Sequence, residues 1–225
     1  YDKDAYEAVI MADMKSRQRF GGHGNALAQV YNHIIMPLAT PRDRNTQIIW
    51  GIADFEKRFN RKPEGMWLAE TAVDTATLEL LAQHNILFTI LAPRQAKAFR
   101  KLNDDQWQTI NENQLDTAIP YAYKLPSGRT IALFFYNGQI SREVAFNGLL
   151  NSGKLFADRL IAATRDTEQP QLIHIATDGE SYGHHHYRGD MALASCIDYL
   201  KKNKSVTLTN YGEFLAKFPP QYEIQ

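Results

Sequence analysis

The chain has 225 residues, of which 44% are hydrophobic and 11% aromatic, so it can bury a full core and is not disordered. Its 25 basic side chains balance 25 acidic ones, so composition predicts no nucleic-acid or membrane-surface partner, and we expect an uncharged substrate. The single cysteine, Cys196, excludes an internal disulfide, and no apolar run approaches the roughly 20 residues that span a bilayer, so we expect a cytoplasmic protein.

Helices and strands alternate in the first half of the chain. Ile48, Ile52, Phe55 and Phe59 follow a helical period and predict an amphipathic helix that packs outside a sheet. This alternation is typical of βαβ units, so we predict an α/β fold with parallel strands and outer helices. The predicted elements are helices over 4–20 and 43–60, a strand over 65–70, a helix from about Asp74 and a strand over 86–91.

The second half of the chain is less regular at its start. Residues 93–126 hold no period for long, so we interpret them as an insertion in, or excursion from, the barrel or sheet. The predicted elements after that are a strand over 130–136, helices over 141–150 and 154–164, a buried strand over 172–176, a helix over 190–203 and a last strand over 206–209.

Two of these strands end at a carboxylate. Glu70 closes the strand over 65–70, and Asp178 follows the strand over 172–176. Because the carboxyl ends of parallel strands meet at one face, we expect the two side chains to form a pair. Paired carboxylates suit the cleavage of a glycosidic bond. Each also has a structural alternative: Glu70 could cap the helix that follows, and Asp178 could form a turn before Gly179.

The stretch from Asp178 to His186 holds two carboxylates and three imidazoles in nine residues. Asp178, Glu180, His184 and His186 could therefore ligate zinc or manganese instead of cleaving a sugar. Aromatic side chains near the predicted strand ends suit the apolar face of a sugar ring. They are Trp67, Tyr136 and Tyr182, with Trp50 and Phe135 as further candidates. His33 lies among bulky apolar neighbours, where a lone histidine is usually a core residue.

Three stretches in order resemble the motifs of glycoside hydrolase family 57. They are His33-Ile-Ile-Met-Pro-Leu38, Trp67-Leu-Ala-Glu70 and Asp178-Gly-Glu-Ser-Tyr-Gly-His184. The resemblance implies a (β/α)7 barrel and an enzyme that acts mostly on α-glucans with retention of configuration. We expect no cofactor. The resemblance also implies that Glu70 is the nucleophile and Asp178 the general acid/base, while His33, Trp67 and His184 line the sugar site.

The chain departs from the family pattern at several points. No His-x-Pro motif precedes Gly21, and the chain starts without methionine or a signal-peptide pattern. We therefore expect a single, incomplete barrel domain over 1–225, cut from a longer polypeptide without its first strand and contacting the missing terminal parts. Tyr136-Asn137 stands where Arg-Asp is usual, Ala69 where proline is common, and His185-His186 where an aromatic pair is common.

Two rival functions remain open at the level of sequence. The first is a metal-dependent enzyme similar to polysaccharide deacetylases, built on the carboxylates and histidines after residue 177. The second is a non-catalytic carbohydrate-binding domain on a degenerate barrel. The reading that we adopt is a glycosidase or glucanotransferase whose partner is a carbohydrate.

Overall fold

The computed structural model describes residues 2–110 and 114–225. The chain is an α/β protein with helices and mixed sheets, and it divides into two compact units. The first unit comprises the described residues of Tyr1–Glu112 with Pro120–Phe134 and Thr209–Gln225. The second unit comprises the described residues of Asn113–Ile119 with Phe135–Leu208.

Seven α-helices form in the described part of the chain. They are α1 Lys3–Arg19, α2 Pro41–Phe59, α3 Thr75–Gln83, α4 Gly138–Phe146, α5 Gly153–Ile161, α6 Gly189–Lys202 and α7 Tyr211–Lys217. The predicted helices correspond to α1 through α6, with ends that differ by a few residues, but α7 was missed. Among the residues that the structure describes, none of the helices has the length and apolar character needed to cross a membrane.

Local capping explains where the helices of the first unit begin and end. The Thr40 side chain accepts a hydrogen bond from Asp43 N, and Pro41 occupies the first turn of α2. The helix ends at Asn60, which has φ 50° in the left-handed region. The predicted stripe faces inward, with Ile48 and Phe55 buried.

The first unit holds two sheets. Their strands are β1 Ala28–Gln29, β2 Met66–Trp67, β3 Phe88–Leu91, β4 Ala98–Lys101, β5 Gln108–Thr109, β6 Tyr121–Lys124, β7 Thr130–Phe135 and β8 Tyr222–Ile224. β1 and β2 pair in parallel, and the other six follow the order β3-β7-β6-β8-β4-β5. β6 and β8 are parallel, but β6/β7, β4/β8 and β4/β5 are antiparallel. The prediction of parallel strands is therefore confirmed for β1, β2 and the bridge from Gly65 to Phe88 at the start of β3, and wrong for the antiparallel pairs among β4 to β8.

Three elements of the first unit meet in an aromatic cluster. Phe88 on β3, Phe134 on β7 and Tyr211 on α7 have ring centroids 5.0 to 5.6 Å apart. Gly65 precedes β2 and bridges Phe88 in parallel, and a Cβ on it would lie 2.3 Å from the Phe88 ring. Only glycine therefore allows β2 to approach β3 this closely.

The predicted excursion over 93–126 contains β4, β5 and β6, which belong to the six-stranded sheet, so these segments are not an excursion from the sheet. β5 has two residues, while β4 and β6 have four each. Strands this short carry too few alternations to reveal a period in the sequence. They are stabilised by partners far along the chain, since Phe99 pairs with Ile224 and Tyr121 with Tyr222.

Helices and turns build the second unit. Its core is formed by buried residues of α4, α5, α6 and a turn at 149–151: Ile140, Val144, Leu150, Phe156, Ala157, Ala192 and Cys196. Burial raises the pKa of Cys196 to about 11, so the thiol stays protonated and acts as a small apolar side chain. Cys196 is therefore a core residue.

Residues 172–176 do not form the predicted strand in the described structure. Leu172 N donates to Ala118 O, and His174 O accepts from Asn137 N. Ala118 lies in a turn and Asn137 caps α4, so neither neighbour can extend these single bonds into a ladder.

The strand predicted over 206–209 is also absent from the described structure. Polar groups at the end of this segment instead form hydrogen bonds to the first turn of α7. Thr209 Oγ1 donates to Glu213 Oε2, and Asn210 Oδ1 accepts from Glu213 N. The last strand of the chain is β8, which the sequence analysis missed.

Candidate active site

Glu70 lies on a strained turn at the end of β2. A single 3-10 turn, Ala69–Thr71, follows the strand, and within it Glu70 has φ 56°. Thr71 is also left-handed, with φ 53°. Such a conformation costs on the order of 1–3 kcal/mol for each non-glycine residue, and a β-branched residue adopts it rarely. Strain of this kind concentrates at functional sites, so the turn is a candidate site on geometry alone.

The turn is anchored by its own backbone and by buried neighbours. Thr71 N donates to Leu68 O and Ala72 N donates to Ala69 O, both at 3.0 Å. Leu68, Ala69 and Thr71 are buried, while Glu70 is exposed. The backbone is therefore fixed while the carboxylate between these residues points into solvent.

An imidazole accompanies this carboxylate. His33 Nε2 lies 3.2 Å from Glu70 Oε1, and the two side chains are 73% and 71% exposed. Because an ionised carboxylate can only accept, this nitrogen donates the hydrogen bond. The usual core role of a lone histidine does not apply to His33, since the chain turns this side chain outward.

The position of His33 depends on α2. The buried Gln47 accepts a hydrogen bond from Asn32 N through Oε1 at 2.6 Å, and its backbone carbonyl accepts from Tyr31 N at 3.2 Å. These bonds hold the segment just before His33 against the helix.

Trp67, on β2, is half-buried and stands opposite Gln29 of β1.

Asp178 lies in the second unit. It is exposed and precedes the 3-10 turn Gly179–Ser181, where its carbonyl accepts from Ser181 N at 3.1 Å. Its carboxylate does not cap that turn. The side chain thus stands at the start of a turn, as the structural alternative predicts, but its oxygens are not used by the turn.

Tyr182 supports the loop that begins at Asp178. Its hydroxyl lies 2.7 Å from Thr177 Oγ1, and its ring packs against the core of the second unit. A Cβ on Gly189 would lie 2.8 Å from Ser181 O, so the loop is closed at its base. Tyr136 directly follows β7 and is half-buried, next to the α4 cap Asn137.

The histidines of this loop have different surroundings. His184 and His185 are exposed, with rings edge to face at 5.0 Å, and both backbone N–H groups donate to Glu180 O. His186 Nε2 instead donates to Ala145 O at 2.9 Å.

Within residues 2–110 and 114–225, no group of three His, Cys, Asp or Glu side chains could hold a metal ion. The predicted alternative ligand set is therefore not assembled.

One residue at the Glu70 turn was not singled out in the sequence. Gln95 donates from Nε2 to Thr71 O at 2.7 Å. It lies in the stretch that we interpreted as an insertion or excursion, and no motif or period marks it. The contact matters because the Thr71 backbone is left-handed, and the sequence does not reveal that conformation.

The exposed carboxylate–imidazole pair on a strained turn at the end of β2 is thus a candidate functional site on its geometry. A family model described as glycosyl hydrolase family 57 matches residues 21–225, and the chain belongs to this family. This confirms the resemblance drawn from the motifs.

Solved structures share the fold at low identity. A 4-α-glucanotransferase from Thermococcus litoralis gives a TM-score of 0.74 at 17% identity, over 100% of this chain and 33% of that protein. A family 57 branching enzyme from Thermococcus kodakaraensis gives a TM-score of 0.70 at 16% identity, over 96% of this chain and 50% of that protein. A Mycobacterium smegmatis protein whose name assigns it to the polysaccharide deacetylases gives a TM-score of 0.62 at 16% identity, over 96% of this chain and 69% of that protein.

The chain spans between a third and a half of the first two proteins. At these identities the likenesses show the fold alone, and proteins with different chemistry share it. No curated protein sequence matches the chain significantly.

Proposed function

We propose that the chain is a retaining glycosidase or glucanotransferase that acts on α-glucans and forms an incomplete (β/α)7 barrel. Family membership supports the reaction class. The names of two proteins of similar fold, a 4-α-glucanotransferase and a branching enzyme, support the choice of substrate. In this proposal Glu70 is the nucleophile and Asp178 the general acid/base. His33, Trp67, Tyr136, Tyr182 and His184 line the sugar site.

The observation that carries the proposal is the Glu70 turn. A carboxylate that only caps a helix or balances a charge does not need a left-handed backbone. Glu70 combines φ 56°, an exposed carboxylate and a single imidazole partner at 3.2 Å. The helix that follows is capped by Asp74, whose Oδ1 accepts from Thr77 N, so Glu70 is not needed as its cap.

The chemistry proceeds in two displacements. Glu70 attacks the anomeric carbon while Asp178, protonated, donates its proton to the leaving glycosidic oxygen as that bond breaks. Water or a sugar hydroxyl then attacks the glycosyl-enzyme, Asp178 takes the proton, and the Glu70 carboxylate is released. His33, which donates to one oxygen of Glu70, leaves the other oxygen for attack.

Replacing Asp178 by Asn tests the acid/base role. Turnover of maltooligosaccharides should fall by about a hundredfold or more, because the amide cannot protonate the leaving oxygen. Turnover of an α-glucosyl fluoride should fall much less, since fluoride leaves without a proton. The measurement is the steady-state rate on both substrates.

The matched control is Glu180→Gln, which removes an exposed carboxylate two residues away on the same turn. This variant should keep its rate within a few-fold of the parent. A near-normal rate for Asp178→Asn, or an equal loss for Glu180→Gln, contradicts the assignment. Oligosaccharide binding without turnover in the parent would indicate the non-catalytic binding domain instead.

A further inference from the structure

The Glu70 turn is tied to a neighbouring strand end. β2 and β3 lie side by side, since Gly65 bridges Phe88 in parallel and Thr89 Oγ1 donates to Met66 O at 2.8 Å. Both strands run in the same direction, so the turn after β2 and the turn after β3, Pro93–Gln95, leave the same edge. A residue of the second turn can therefore reach the first.

Gln95 makes this link with both ends of its amide. Its Oε1 accepts from Ala92 N at 2.8 Å, and its Nε2 donates to Thr71 O at 2.7 Å. The orientation of the amide is unambiguous, because a backbone N–H can only donate and a backbone carbonyl can only accept. The first bond fixes the side chain to its own turn, and the second fixes the carbonyl of the left-handed Thr71.

We propose that Gln95 is a positioning residue for Glu70. By holding the Thr71 carbonyl, it keeps the strained pair Glu70-Thr71 in the left-handed conformation and so fixes the direction of the Glu70 carboxylate beside His33. The inference rests on the proposed function, because it assigns Gln95 to the nucleophile of that reaction. Gln95 is itself exposed, so its role is not to fill the core.

The isosteric substitution Gln95→Glu separates the two bonds. The introduced carboxylate can still accept from Ala92 N but repels Thr71 O. On maltooligosaccharides at neutral pH, kcat should fall about tenfold or more, with KM within about twofold, because a small misplacement of a reacting group is costly. The ratio of variant to parent kcat should recover as pH falls toward about 4, where the carboxyl protonates and can donate again.

Gln221→Glu is the matched control, since Gln221 also donates from Nε2 to a backbone carbonyl, that of Pro219 at 3.2 Å. It should show neither the loss nor the recovery. A Gln95→Glu variant with unchanged kcat, or with a loss that does not depend on pH, overturns the proposal.

A second measurement distinguishes positioning of Glu70 from a general effect on the fold. In Glu70→Ala, azide can replace the carboxylate as nucleophile at the anomeric carbon, and the azide-dependent rate can be measured on an activated α-glucoside. Adding Gln95→Ala to this background should leave that rate unchanged, because the residue that it positions is gone. A further loss equal to that of Gln95→Ala alone would overturn the proposal.

The two hypotheses fail separately. If the parent turns over α-glucan and Glu70→Ala does not, the proposed function stands whatever Gln95 does. If the parent shows no turnover, both are overturned, because Gln95 then has no nucleophile to position.

Discussion

His174 illustrates how the interior of the second unit sets the charge of one residue. Its Nε2 donates to Thr117 O at 3.1 Å, and the side chain is buried. Burial lowers the pKa of His174 to about 4, against the opposing effect of hydrogen bonds to the Thr117 and Phe135 backbone. The ring is therefore neutral at pH 7, and His174 is a core residue.

This makes stability depend on pH in a defined window. Between pH about 6.5 and about 4 the unfolded chain binds a proton at His174 that the folded chain does not. The free energy of unfolding should therefore fall as pH is lowered through this window, by about 3 kcal/mol in total. Denaturant titrations at several pH values measure it.

His174→Gln is the comparison, because glutamine can donate a hydrogen bond but does not titrate. The variant should lose that part of the pH dependence, even if its stability at pH 7 is lower. Equal slopes for the two proteins between pH 6.5 and 4.5 would contradict the assignment to His174.

The candidate site shows how far single residues can be predicted. Glu70 and Asp178 could be selected because carboxylates that follow apolar runs are uncommon and the motifs occur in order. The exposure of His33 could not, because it depends on hydrogen bonds between Gln47 of α2 and the residues just before His33. The contact of Gln95 could not either, because it depends on the left-handed backbone at Thr71. Sequence signals for positive φ are strong for glycine and asparagine but absent for Glu70 and Thr71.

At the scale of elements, a buried ion pair joins α1 to the segments around β1 and β2. Arg61 donates to both carboxylate oxygens of Asp13, at 2.8 and 2.9 Å, and to Ala26 O at 2.9 Å. The side chains are only 8% and 3% exposed. The Arg61 guanidinium also lies 4.7 Å from the centre of the Phe55 ring.

Breaking this pair should be costly. Asp13→Asn leaves the guanidinium buried without its counter-charge, so the free energy of unfolding should fall by about 3 kcal/mol or more. Asp54→Asn, which breaks a more exposed pair with Arg58 on α2, should cost about 1 kcal/mol or less. Chemical denaturation of the two variants measures the difference, and similar losses would contradict this account.

The Asp13 pair also has a pH signature. Burial alone would raise the pKa of Asp13, but the Arg61 hydrogen bonds and charge and the Ala26 N–H outweigh it and hold the pKa below its usual value. The stabilisation is thus present above the unfolded pKa of 3.8 and is lost as pH falls through the lower folded value.

Helices were easier to predict from the sequence than strands. The stripe of α2 and the Asp74 cap of α3 are local signals, and they are where the sequence places them. Residues 172–176 have the composition of a strand, but strand pairing depends on neighbours such as Ala118 that a local window cannot see. β8 was missed because it has only three residues, and they follow two prolines, so they show no alternation of apolar and polar side chains.

On the scale of the whole molecule, the two carboxylates of the proposed reaction belong to different compact units, Glu70 to the first and Asp178 to the second. That they act as one pair in one catalytic domain stays a prediction, supported by the family to which residues 21–225 belong. The fold does not decide the chemistry, since a structure named for deacetylation shares it.

The most direct measurement is the identity of the residue that carries the sugar. A fluorinated α-glycosyl fluoride whose glycosyl-enzyme hydrolyses slowly should label the protein once, and mass spectrometry of the digested protein locates the label. The account predicts a label on Glu70 in the parent and none in Glu70→Gln. Turnover without any trapped intermediate, or a label on another carboxylate such as Glu180, would contradict it.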